Sequence, residues 1–141
     1  MTLQTICSNL MSLVVVSSFA GCYNETIQIR ELTEEQEQDI LHKQRQDIIT
    51  FARSAGCSSS TQCRFIGLGS KPCGGSWEIL VYSNAIDTVK LCSLITKYNT
   101  EEYNFNEKWG IGSDCTVPNP PDSVLCIDGQ CVGYWDGFPR D

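Results

Sequence analysis

The chain has 141 residues, which suggests one domain with a modest hydrophobic core. Its formal charge of −7 leaves no basic footprint, so a nucleic-acid backbone and an anionic lipid surface are both poor electrostatic partners. Nine cysteines beside a single histidine make disulfides or a thiolate metal site the main question, and the answer depends on the compartment.

The N-terminus points to export. Residues Ile6 to Ala20 form an apolar and small-polar run, and no charged residue occurs before Glu25. The run is too short and too serine-rich for a membrane span and has the length of a signal-peptide core. It ends in 19-FAGC-22, which resembles the lipobox of bacterial lipoproteins on Ala20, Gly21 and Cys22, with Phe19 in place of the usual leucine. That resemblance implies a signal peptide over residues 1–21, acyl chains on Cys22 and a membrane as a partner through the lipid anchor. Cleavage by an ordinary signal peptidase and a retained hydrophobic anchor are the alternatives. Residues 22–32 then read as a tether, and residues 33–141 as the folded domain.

Thr33 followed by Gln36 is a capping box, and Glu34, Glu35 and Glu37 suit the positive end of a helix dipole. Leu41, Ile48, Phe51 or Ala52, and Ala55 recur at helical spacing, with Gly56 expected as the C′ residue. Gln44 and Arg45 interrupt this stripe, so the helix is expected to cover the domain. The charged face carries His42, which has no visible partner for chemistry.

The texture changes at Cys57. Arg64–Leu68 and Trp77–Tyr82 read as an antiparallel strand pair around the turn-rich 69-GSKPCGG-75. Alternation puts Trp77, Ile79 and Val81 on one face and Glu78, Leu80 and Tyr82 on the other. Asn84 to Trp109 reads as a second helix with Asp87 as a cap. Its stripe is Leu91, Ile95, Tyr98, Phe105 and Trp109, with Glu102 in the missing position. Gly110 and Gly112 end it. Three prolines stiffen 116-TVPNPPDS-123. Val124–Ile127 and Gln130–Tyr134 flank Asp128-Gly129, a strong type I′ hairpin signal. Trp135–Asp141 is expected to be a loose tail. The fold class expected is α+β: two helices on a small antiparallel sheet of about four strands, stapled by disulfides.

Cys7 would leave with the signal peptide, Cys22 would carry lipid, and Cys92 would be buried as a small hydrophobe in the second helix. Cys57, Cys63, Cys73, Cys115, Cys126 and Cys131 would then form three bridges. Cys126 and Cys131 are opposed across the hairpin, so a local bridge fits, although other partners stay open. Cys57–Cys63 and Cys73–Cys115 complete the expected set. No Cys-x2-Cys spacing supports a metal site, and no catalytic residue or cofactor motif is found. The aromatic residues Trp77, Tyr82, Tyr103, Trp109, Tyr134 and Trp135 could stack on a ligand, but are expected in the core.

The run 63-CRFIGLGSKPCGGSWEILVYS-83, a helix, 113-SDC-115 and 126-CIDGQC-131 together resemble a group of small bacterial lipoproteins that have no assigned activity. The resemblance covers residues 57 to 132 and implies an envelope location and a common disulfide framework. Two functions are expected candidates. One is a non-catalytic binding or structural lipoprotein with a protein partner of unspecified kind. The other is a protease-inhibitor-like module that presents Val117, Pro118, Asn119, Pro120 and Pro121.

Overall fold

A computed structural model describes residues 31–140 of the chain. The export run, Cys7, Cys22 and most of the tether lie outside the described residues.

Helix α1 spans Glu34–Ala52. Its capping box forms as the sequence predicts: Gln36 N–H donates to Thr33 Oγ1 and Thr33 N–H donates to Gln36 Oε1. Leu41, Ile48 and Ala52 are its buried face. The helix stops at Ala52 with Arg53 as C-cap, so Ala55 and Gly56 lie beyond it. Gly56 serves a different purpose from the expected C′ residue. A Cβ there would sit 2.6 Å from the Gly129 carbonyl oxygen, so the residue allows the hairpin turn to approach the chain.

Strands β1 (Cys63–Leu68) and β2 (Glu78–Ser83) pair antiparallel, with Ile66 opposite Leu80. Leu68 and Leu80 enter the core. Helix α2 runs Thr88–Trp109, starting later than predicted because Asn84–Asp87 form a turn and Asp87 caps Lys90 N–H. Gly110 ends it in the left-handed region at φ 64°. Leu91, Ile95, Tyr98 and Phe105 are buried on one face, as the stripe predicts. Cys92 is exposed, contrary to expectation. It follows the fully buried Leu91, and one helical step turns it about 100° away from the core.

Strands β3 (Ser123–Ile127), β4 (Gln130–Trp135) and β5 (Phe138–Arg140) form a second antiparallel sheet in that order. Asp128 and Gly129 both have positive φ, as a type I′ turn requires. Asp136-Gly137 repeats this geometry, and the predicted loose tail is in fact β5. Pro139 fits there because β5 is an edge strand, where a missing N–H costs no ladder bond. The architecture is thus α+β with two small sheets, neither of which reaches the four strands expected of a single one. The core lies between the two helices and the Leu68/Leu80 face of β1–β2. Sheet β3–β5 meets the first sheet through β1–β3 and β2–β4 contacts. A Cβ on Gly133 would lie 3.1 Å from Val81 and closer still to the Trp135 ring.

Three disulfides staple the domain: Cys57–Cys126, Cys63–Cys131 and Cys73–Cys115. The last is the expected pair. The other two replace the expected local bridges Cys57–Cys63 and Cys126–Cys131. The reason is docking of the hairpin on the loop that precedes β1. Cys57 N–H donates to Gly129 O, and Cys126 N–H donates to Ser60 Oγ, so each hairpin cysteine meets a partner from that loop. These bridges close loops of 69 and 68 residues in sequence. A first closure of that length stabilises by about 4 kcal/mol on a chain-entropy basis, against about 2 kcal/mol for a local one.

Candidate functional site

The site grows out of the turn 69-GSKPCGG-75, whose backbone is gripped by one face of α2. Gly69 N–H donates to Asn99 Oδ1 at 2.8 Å, and Ser70 N–H donates to Glu102 Oε2 at 2.5 Å. Asn106 Nδ2 donates to Ser70 O at 2.6 Å, and Tyr98 OH donates to Glu102 Oε1 at 2.9 Å. Asn99, Glu102 and Asn106 are spaced three and four residues apart, so they share a face. Burial pushes the Glu102 carboxyl above its ordinary range, although the Ser70 N–H and the Tyr98 hydroxyl favour the charged form. Burial, followed by the Glu102 charge, also raises the Tyr98 phenol. Gly69 is required here: its φ is 93°, and a Cβ would lie 2.7 Å from Trp77 and 2.9 Å from Glu102.

The turn is tied on its other side to the proline-rich segment. Lys71 is only 5% exposed, and its Nζ donates to Asp114 Oδ1 at 2.9 Å and to the Thr116 carbonyl. The ammonium also lies 4.7 Å from the centre of the Trp77 ring. The hydrogen bond from Lys71, assisted by the Thr116 hydroxyl and N–H, lowers the Asp114 carboxyl to about 2. The Cys73–Cys115 bridge closes the same junction, and Val117 lies against Gly75. Farther along, Trp135 Nε1 donates to Asn119 O, Asp122 N–H donates to Tyr134 O, and Asp136 N–H donates to Asp122 Oδ2.

These anchors leave a groove of about 350 Å³. Trp77, just before β2, and Ile79 within it line one side, Pro118 and Pro120 line it from the stiff segment, and Trp135 and Arg140 from the second sheet. Glu78, Asp122 and Asp136 add carboxylates. Arg140 lies over the Trp135 ring, and Glu78 is held by a bidentate pair from Arg45 on α1, at 2.7 and 2.6 Å. Glu78, Ile79, Trp135 and Arg140 also border a larger cleft of about 510 Å³ between α1, β2 and β4. The groove offers flat aromatic surface, fixed acceptors and one cation, which suits reversible binding. Arg45 and Asp114, by contrast, are engaged in ion pairs that hold the walls.

The candidate loop residues separate in the structure. Pro118, Asn119 and Pro120 line the groove, Val117 is 57% exposed, and Pro121 is buried as a foot of the segment. The expectation that the six aromatic residues fill the core is corrected. None of them is buried; Trp77 and Tyr103 are exposed, and Tyr82 and Trp109 pack at the core's edge. The core between the helices and β1–β2 is filled by aliphatic side chains with Tyr98 and Phe105, which leaves these aromatic residues at its margin or outside it. Lys71, Asn99 and Asn106 are not singled out by the sequence; polar residues at three- and four-residue spacing around Glu102, beside an apolar stripe, are the signal for Asn99 and Asn106, whereas no local pattern marks Lys71. His42 is exposed on α1, and Cys92 is the one free cysteine among the described residues.

No protein-family model matches the chain, and neither does any curated protein or solved structure. No helix among the described residues is long and apolar enough to cross a membrane. The three disulfides suit an oxidising, extracellular environment.

Proposed function

We propose that this chain is a non-catalytic binding lipoprotein of the cell envelope, anchored through Cys22, which meets its ligand in the groove between Trp77, Trp135 and Pro118–Pro120. The observation that carries this reading is the groove itself, whose walls are fixed before any ligand arrives. Lys71, the Cys73–Cys115 bridge and the Trp135–Asn119 hydrogen bond hold the proline segment in place. Preorganisation of this kind lowers the ordering cost of binding. The export-type N-terminus and the disulfides support the location. Two measurements test the proposal. Cys22→Ser should move the protein from the membrane fraction to the soluble fraction, and unchanged membrane association rejects the anchor. A screen of envelope oligosaccharides and short peptides should give binders whose affinity falls at least about tenfold in Trp77→Ala, the loss expected for one well-packed aromatic contact. Binders indifferent to Trp77 and Trp135 reject the groove.

One observation favours a second reading. The same anchors present Val117 at 57% exposure on a rigid segment, as a protease-inhibitor loop would. Inhibition of a broad protease panel that is lost when residues 117–121 become Gly-Ser supports it. No inhibition by the unaltered protein disposes of it.

A further inference from the structure

Two of the disulfides share one sulfur cluster. The Sγ atoms of Cys57, Cys63 and Cys131 lie within 4.8 Å of one another, and Cys126 is bonded to Cys57. Cys126 and Cys131 are also directly opposed across β3 and β4. The same four cysteines therefore have a second pairing open to them by side-chain rotation: Cys57–Cys63, whose sulfurs lie within 4.8 Å, and Cys126–Cys131, opposed in the hairpin register. Cys57, Cys126 and Cys131 are half-buried and Cys63 is 1% exposed, so the Cys57–Cys126 bridge offers both of its sulfurs to a thiol and the Cys63–Cys131 bridge only one.

We propose that this cluster is a thiol–disulfide exchange site, opened by a small-molecule thiol. The thiolate attacks Cys126 Sγ, the Cys57–Cys126 bond breaks, and Cys57 leaves as a thiolate. Cys57 attacks Cys63 Sγ, forming Cys57–Cys63 and releasing Cys131. The Cys131 thiolate then attacks Cys126, displacing the small thiol and forming Cys126–Cys131. Each step breaks one S–S bond and makes one. The small thiol is regenerated, and no net oxidation occurs. Entry at Cys57 instead of Cys126 reaches the same product. The starting pairing ties the β3–β4 hairpin to the segment before β1. The product leaves that tie to non-covalent contacts, which frees the Trp135 side of the groove to move.

The test uses the folded full-length chain and substoichiometric reduced glutathione without oxygen, quenched with acid and alkylated before peptide mapping under non-reducing conditions. The proposal expects Cys57–Cys126 and Cys63–Cys131 to be lost together, with gain of the two local bridges and with Cys73–Cys115 intact. Glutathione retained on Cys57 or Cys126 while Cys63–Cys131 persists overturns it, as does scrambling of Cys73–Cys115 at the same rate. A second arm needs no added thiol. In Cys126→Ser the freed Cys57 lies beside the remaining bridge, so a rapid alkylating pulse should label Cys63 or Cys131 as well as Cys57. Label confined to Cys57 contradicts the exchange.

Discussion

Glu102→Ala is the most informative single perturbation of the groove's foundation. The change leaves the Ser70 N–H and the Tyr98 hydroxyl without their acceptor, and both sit in part-buried surroundings. An unsatisfied buried donor costs about 1–3 kcal/mol. Partial access to water puts the two together at about 3 kcal/mol, a large share of a small domain's stability. Glu102→Gln keeps one acceptor oxygen and removes the buried charge. Since burial raises the Glu102 carboxyl, the folded state holds its proton more tightly than the unfolded chain does. The carboxyl's contribution to stability therefore falls as pH rises through that raised value. Glutamine removes this slope, and its cost near neutral pH should stay under about 1 kcal/mol. Urea unfolding with the disulfides intact measures both variants. With a slope of about 1.5 kcal/mol per molar, alanine should lower the midpoint by about 2 M. Hydrogen exchange at Gly69 and Ser70 should rise in the same variant. Equal costs for Ala and Gln, or an alanine cost near zero, refute the idea that Glu102 holds the turn.

Other outcomes follow from single contacts. Asp114 is lowered to about 2 by Lys71, so its contribution to stability is complete above its unfolded value and is lost as pH falls through about 2. Urea midpoints measured between pH 4 and 2 should fall less steeply in Asp114→Asn than in the parent. Gly56→Ala forces a Cβ to 2.6 Å from the Gly129 carbonyl and should cost about 1–3 kcal/mol in the same assay, although the position is exposed. In the double variant Cys57→Ser/Cys126→Ser the Cys63–Cys131 bridge still closes nearly the same loop, so thermal or urea stability should fall by about 2–3 kcal/mol, the entropy of the short extra loop between the two bridges. Alkylatable thiols at both Cys63 and Cys131 in that variant would point to the other pairing.

Local signals carried much of the fold. Thr33 with Gln36, Asp87, Gly110 and Asp128-Gly129 each act through neighbours within a few residues, and each forms as the sequence predicts. The sequence reading of Trp135–Asp141 as a loose tail misses Asp136-Gly137, which turns the chain back with the same positive φ pair as Asp128-Gly129 and lets β5 pair with β4. Disulfide pairing was less legible for a similar reason. Cys126 and Cys131 are opposed as the hairpin requires, but their partners depend on where the hairpin docks, and Gly129 meeting Cys57 decides that. Cys92 shows the limit of an apolar neighbourhood in sequence, since one helical step separates a buried residue from an exposed one. At the candidate site, the prolines marked the segment. The clamp of Lys71, Asn99, Glu102 and Asn106 depends on contacts 30 to 45 residues apart in the chain.

The three tryptophans provide the most direct test of the groove. Trp77 and Trp135 line it, whereas the Trp109 indole donates to Glu37 between the two helices and serves as an internal reference. Indole N–H resonances recorded during titration with any bound envelope oligosaccharide or peptide should shift for Trp77 and Trp135 and stay fixed for Trp109. A saturable binder that moves Trp109, or that leaves the other two unchanged, contradicts the account.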